Sequence, residues 1–128
     1  MDGSVSYKPS ENWARDWHKV EDWVVEALER SPGGETVSQV QQALIVGTAH
    51  LWVGKRAAIV SIYIDECFTI WLGGGDMAEI QQMTPTIEQY GKSLGADRIY
   101  IYGRPGWSRS YLKEHGFKTK WVILEKML

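Results

Sequence analysis

The sequence is short of cysteine, of net charge and of long apolar runs, and each shortage excludes a class of protein. Cys67 is the one cysteine in 128 residues, so the chain can form no internal disulfide, which suits a reducing cytoplasm. The formal net charge of −2 argues against a general nucleic-acid or membrane-surface binder. No apolar run approaches the roughly 20 residues of a membrane span, and no secretory signal is expected. We expect a single domain over residues 1–128.

Tryptophan is the residue in excess, with seven copies in this short chain. Trp71 and Trp107 are predicted to be structural anchors, because one lies in a strand and the other at the turn after its neighbouring strand. Cys67 has no histidine or second cysteine beside it in sequence, so it is predicted to be a core thiol at a strand edge. No metal site is predicted.

The N-terminal third predicts a short strand over residues 5–8, ended by Pro9, and then a helix that runs to about Arg30. Ser10 or Asn12 can cap the helix by accepting hydrogen bonds from its free amides. Apolar residues recur at helical spacing and form one face: Trp13, Trp17, Val20, Val24 and Leu28, widened by Trp23 and Ala27. The residues predicted to face water are Asp16, His18, Lys19, Asp22, Glu26 and Glu29.

A second helix and a β-hairpin follow. Thr36 or Ser38 caps the helix, whose apolar positions include Val40, Leu44 and Ile45, and Gly47 ends it. Strands over residues 49–53 and 57–65 are joined by a tight turn, which makes them antiparallel.

Residues 67–117 have the pattern of a βαβ unit. An apolar strand over 68–72 leads into a glycine loop, Gly73 to Gly75, and a helix that ends at 94–96. A second apolar strand over 98–102 should lie parallel to the first, and a short helix follows it. A final strand is predicted in the tail, over residues 118–128. The whole order predicts a mixed α/β sheet with helices on both faces.

This order resembles the GNAT acetyltransferase fold over essentially the whole chain. Residues 94–101 (LGADRIYI) resemble the end of the family's central helix and its fifth strand. Residues 111–117 (YLKEHGF) resemble its last helix. Residues 70–76 (IWLGGGD) and 103–107 (GRPGW) more closely resemble short GNAT-like proteins of phages and prophages. That resemblance implies a role in virion assembly, and a location in the host cytoplasm or the phage virion.

The acetyl-CoA loop of the family departs from its pattern in this sequence. The family uses an Arg/Gln-x-x-Gly-x-Gly/Ala loop, whose amides hold the pyrophosphate. Ala78 and Ile80 stand where the two motif glycines should fall. Gly73, Gly74 and Gly75 could still form an amide nest, so they are the candidate cofactor-binding residues. We expect Asp76 and Glu79 to form a capping box that occupies the amides a phosphate needs. Thr84 and Pro85 should kink or restart the helix.

The candidate catalytic residues form no diagnostic constellation. The resemblance places the family's acid tyrosine at Leu112, whereas Tyr111 lies one position away, roughly 100° around a helix. Glu66, Asp65 and His50 are possible general bases, but each is more simply a turn or surface residue. Glu66 and Tyr111 are therefore the catalytic candidates if the chain is an enzyme.

Arg104, Trp107 and Arg109 form a basic and aromatic cluster at the start of the last predicted helix. Together with Trp23, at the edge of the first helix's apolar face, they are the candidate interaction residues, because tryptophan and arginine are enriched at binding hot spots. Binding of a nucleotide or phosphate by the guanidinium groups is another interpretation of this cluster. Packing of Trp107 as a core anchor with solvated arginines is the simpler alternative.

Three hypotheses follow. The first is a GNAT-like protein that has lost or nearly lost acetyl-CoA chemistry, needs no cofactor and acts as an interaction or structural component. It would bind a protein partner, such as a phage structural protein, or form a homo-oligomer. The second is an acetyl-CoA-dependent N-acetyltransferase. The third is a phage-encoded inhibitor of a host protein. None of them involves a membrane or a nucleic acid.

Overall fold

The structure is a computed structural model that describes residues 7–31, 34–101, 116 and 126–127. Its helices are α1 (Trp13–Arg30), α2 (Val37–Val46) and α3 (Met77–Ser93). Its strands are β1 (Ala49–Val53), β2 (Ala57–Ile64), β3 (Cys67–Gly75) and β4 (Ile99–Ile101). The predicted last helix and tail strand lie outside the described residues, except for residues 126–127, which are not in a strand. In the part that the structure describes, no helix is long and apolar enough to cross a membrane.

The first two helices begin and end where their capping residues stand. Asn12 caps α1 by accepting a hydrogen bond from the Arg15 amide. Thr36 and Gln39 form a capping box at the start of α2, and Gly47 ends that helix in the left-handed conformation. Both helix predictions are confirmed.

The sheet has the order β1-β2-β3-β4, and the first three strands form an antiparallel meander. β4 runs parallel to β3, with Phe68 opposite Ile99 and Ile70 opposite Ile101. Helix α3 is the crossover between these two parallel strands, as the βαβ pattern predicted. The predicted mixed α/β sheet is therefore present.

Each face of the sheet carries its own hydrophobic core. Helices α1 and α2 cover one face, with Val20, Val24 and Val40 buried against Leu51 and Val60. Helix α3 covers the other face, where the buried residues include Trp52, Phe68, Ile80, Met83 and Ile87. Trp71 is buried in the first core, as its predicted structural role requires. The alternation of side chains along each strand separates the two cores.

Several expectations about single residues are wrong. Asp16 was expected to face water, yet it is buried because the chain before α1 folds over it and Ser10 Oγ donates to its carboxylate (2.7 Å). Cys67 is exposed, because it is the first residue of β3 and lies beyond the end of the core. Ile45 was expected on the apolar face of α2, but it is 64% exposed.

The predicted break at Pro85 is also absent. Helix α3 continues through Pro85, which is exposed, and Thr84 Oγ1 donates to the Ile80 carbonyl (2.8 Å) instead of capping a new helix. The first predicted strand lies partly outside the described residues. Within them, Pro9 forms an isolated antiparallel bridge with Trp52.

Candidate functional site

The candidate site lies at the end of β3, where the strand leads into α3. In the described residues β3 pairs with β4 from Phe68 to Ile70, and it pairs with β2 between Cys67 and Gly75. The register between β2 and β3 shifts within this stretch, because Val60 faces Leu72 whereas Ser61 faces Ile70. Trp71 is therefore the extra residue of a β-bulge, a feature that occurs often beside functional sites.

The three glycines after the bulge extend the strand rather than form a loop, which corrects the loop prediction. Gly73, Gly74 and Gly75 face Ile59, Ala58 and Ala57 across the β2–β3 ladder. A Cβ on Gly74 would collide with the Trp23 carbonyl of α1. Gly75 has a φ of +100°, which glycine adopts without strain. Close packing thus explains Gly74, and backbone conformation explains Gly75. A role of the three glycines in cofactor binding stays a prediction.

The connection from β3 to α3 is a single residue, Asp76. Its amide donates to the Arg56 carbonyl (2.8 Å), which fastens it to the β1–β2 turn. Its side chain is exposed and makes no capping hydrogen bond, so the predicted capping box is wrong. The Asp76 carboxylate therefore accepts no hydrogen bond from the first-turn amides of α3, although Asp76 is the residue directly before the helix.

Glu79 is turned away from its own helix end and binds the β1–β2 turn. Its carboxylate accepts hydrogen bonds from the amides of Lys55 (3.0 Å) and Arg56 (2.6 Å). The hydroxyl of Tyr7 also donates to it (3.3 Å). Burial, followed by the charge of Glu79 and this hydrogen bond, raises the pKa of Tyr7. Two consecutive backbone amides form a small anion-binding nest, and here the protein's own carboxylate fills it.

Sequence reasoning missed this contact for a clear reason. Tyr7 and Glu79 are 72 residues apart, and no local pattern joins them. Glu79 stands three residues after Asp76, so the local pattern favoured a cap. Gly54 is the one sequence feature that reflects the contact with Glu79, because a Cβ at position 54 would collide with the Glu79 carboxylate.

A groove of about 400 Å³ lies between the start of α1 and the β1–β2 turn. Its charged lining residues are Lys8, Glu11, Arg15, Asp16 and Lys55. Asp16 is held in the ionised form, because the hydrogen bond from Ser10, assisted by Arg15 and Lys19, lowers the pKa of its carboxyl group. Lys8 pairs with Glu11 (3.5 Å) and Arg15 with Asp16 (3.4 Å), so opposite charges largely compensate one another here.

The candidate bases are not brought together. Asp65 and Glu66 form the exposed β2–β3 turn, whereas His50 lies in β1, which forms an edge of the described sheet. His50 is half-buried instead of being a turn or surface residue, and its ring contacts the Tyr90 ring edge-on at 5.3 Å. Its Nδ1 atom is buried and has no hydrogen-bond partner in the described part, and burial lowers its pKa.

The candidate interaction residues can be placed only in part. Trp23 is half-buried and packs against the core under α1, so it is partly exposed as expected. Arg104, Trp107, Arg109 and the catalytic candidate Tyr111 lie outside the described residues. Among the residues that are described, no three His, Cys, Asp or Glu side chains lie together as a set of metal ligands.

Comparison with known proteins identifies the architecture. No family model and no curated protein matches the sequence. A solved structure does match: the apo form of the aminoglycoside antibiotic 6′-N-acetyltransferase AAC(6′)-Ig from Acinetobacter haemolyticus. The two share a TM-score of 0.53 and 16% sequence identity, over 97% of this chain and 99% of that chain. At this identity the similarity concerns the fold, and the chain has a GNAT-like fold.

Proposed function

We propose that the chain is a GNAT-like protein that has lost or nearly lost acetyl-CoA chemistry and acts by binding another protein. The observation that carries the proposal is the single-residue connection between β3 and α3. A pyrophosphate needs several converging amides and no negative charge beside them. Here Asp76 uses its amide for the β1–β2 turn and leaves an exposed carboxylate at the end of the helix.

The substituted motif positions support the same proposal. Ile80 stands at the position of one motif glycine. It is buried in the core under α3 and lies within the continuous helix. Ala78, at the place of the other motif glycine, is exposed within the first turn of α3. The residues of this chain therefore do not fit the family's pyrophosphate loop.

The nature of the partner is a further part of the proposal. The resemblance to phage-encoded GNAT-like proteins favours a structural or assembly role in a phage particle, with another phage protein as partner. An inhibitor of a host protein would differ only in its target. Purification of the intact complex from infected cells distinguishes them, since the partner is then a virion protein or a host protein.

An acetyl-CoA-dependent N-acetyltransferase is the second candidate, because specific features favour it. Strand β3 has a bulge at Trp71, and the first-turn amides of α3 carry no side-chain cap. The similar solved structure is an N-acetyltransferase by name.

Calorimetry with acetyl-CoA separates the two candidates. We expect no binding at millimolar acetyl-CoA, because the Asp76 carboxylate repels phosphate and the loop glycines are absent. Ala78→Glu adds a second carboxylate to the exposed first turn, and Gln82→Glu adds one at an exposed position further along α3 as the matched control. Micromolar binding that Ala78→Glu abolishes and Gln82→Glu preserves would establish the acetyltransferase site instead.

A further inference from the structure

Helix α2 has a surface unlike that of α1. None of its residues is charged, whereas α1 carries acidic and basic side chains along its length. At its C-terminal end Ile45 and Val46 are 64% and 60% exposed. Depletion of charge combined with exposed large apolar side chains is typical of the central part of a protein interface.

A third exposed apolar residue lies at the same end of the molecule. The Tyr63 amide donates to the Thr48 carbonyl (3.0 Å), which places the end of β2 beside the turn that follows α2. Ile64 is 49% exposed and shares a strand face with Ile62, which packs against the core under α1 and α2. Of the four large apolar side chains that are exposed in the described residues, three therefore lie together here.

Two carboxylates border these residues. Asp65 and Glu66 form the two-residue turn after Ile64, with φ values of 53° and 64°. Turns of this kind favour Asn-Gly, because most other residues are strained at positive φ. The basic residues of the preceding hairpin turn lie at the opposite end of β2, and Arg98, near the start of β4, is paired with Asp97 (3.9 Å). In the described part of the chain, the turn that borders the apolar surface is consequently acidic.

We propose that Ile45, Val46, Ile64, Asp65 and Glu66, here called the α2 patch, dock a protein partner that presents an apolar ridge beside basic side chains. The exposed apolar residues supply the buried area, and the carboxylates select the charge of the partner. A second copy of the chain is a poorer occupant, because it would bring four like-charged carboxylates together at the same surface. This surface lies apart from the β3–α3 end, so the proposal does not depend on whether acetyl-CoA binds.

The test uses the full chain and a fluorescein-labelled synthetic amphipathic helix of leucine and lysine, followed by fluorescence anisotropy. A leucine and glutamate helix of equal length is the control peptide. We expect the lysine peptide to bind, the glutamate peptide not to bind, and added salt to weaken the complex. Ile45→Glu should weaken binding at least about tenfold and leave folding intact, because the Ile45 side chain is exposed.

A double variant separates the binding role of the turn from its structural role. Asp65→Asn with Glu66→Gly gives the turn its preferred residues, so the melting temperature should rise while peptide affinity falls several-fold. Asp22→Asn with Glu29→Gln removes two exposed charges from α1 and should leave affinity unchanged. Equal binding of both peptides, absence of binding, or unchanged affinity in the turn variant would overturn the proposal. So would a dimer of the chain that Ile45→Glu dissociates, since a second copy would then be the occupant.

Discussion

At the scale of single residues, Glu79 joins three separate parts of the chain. Its carboxylate accepts hydrogen bonds from Lys55, Arg56 and Tyr7, and only 8% of the residue is exposed. Glu79→Gln would place an amide group against these donors and leave at least one of them unsatisfied. We expect the free energy of unfolding to fall by roughly 1.5–3 kcal/mol, measured by urea denaturation.

Glu29→Gln provides the control for this prediction, because Glu29 is exposed on α1. It should change the free energy of unfolding by less than about 0.5 kcal/mol. Equal stability of the two variants would mean that the Glu79 contacts contribute little to the fold.

His50 gives the protein a pH-dependent stability. Burial lowers the pKa of His50 in the folded state, whereas the unfolded chain should have a value near 6.5. The unfolded chain therefore takes up the proton first. The contribution of this residue to stability is complete above about pH 6.5 and is lost as the pH falls through the lower folded pKa. Its ring contacts that of Tyr90, and among the described residues its Nδ1 atom has no hydrogen-bond partner that could stabilise a charge.

Urea denaturation at pH values from 8 to 5 tests this prediction. We expect stability to decline over the lower half of that range, and His50→Gln to flatten the decline. His18→Gln is the control, because the His18 side chain is exposed on α1. An unchanged pH profile in His50→Gln would assign the decline to other groups.

At the scale of secondary-structure elements, Gly74 sets the distance between α1 and β3. Any Cβ at this position meets the backbone carbonyl of Trp23, so Gly74→Ala must separate the helix from the sheet. We expect a loss of roughly 1–3 kcal/mol in the free energy of unfolding. Asp76→Ala lies two residues away, exposed and without a capping bond, and should have little effect on stability. Comparable stability of the two variants would show that the glycine is not needed for packing.

The elements could be predicted where a local pattern defines them. The spacing of Trp17, Val20 and Val24 defined α1, and Thr36 with Gly47 defined the ends of α2. The glycines of β3 were expected in a loop, because their close approach to Trp23 depends on a helix about 50 residues earlier in the chain. The hydrogen-bond partners of Asp16 and Glu79 were missed for a related reason. Both carboxylates are buried by another segment of the chain, and the residues next to them in sequence do not indicate this.

At the scale of the whole molecule, the interaction prediction concerns two different surfaces. The sequence favoured Trp23 together with Arg104, Trp107 and Arg109, and only Trp23 lies within the described residues. It is half-buried and packs against the core under α1. The α2 patch escaped sequence reasoning because Ile45 fits the apolar pattern of its helix, and only the fold shows that its side chain is exposed.

The strand order of the sheet has a kinetic consequence. β1, β2 and β3 are neighbours in space and in sequence, joined by turns at residues 54–56 and 65–66, whereas β4 must wait for the crossover over residues 76–98. Closing a short loop costs less entropy than closing a long one, so the meander should assemble before β4 docks. Val60→Ala, in β2, should therefore slow refolding, and Ile99→Ala, in β4, should mainly accelerate unfolding in stopped-flow experiments. If the two variants slowed refolding in equal proportion to their loss of stability, β4 would already be paired in the transition state.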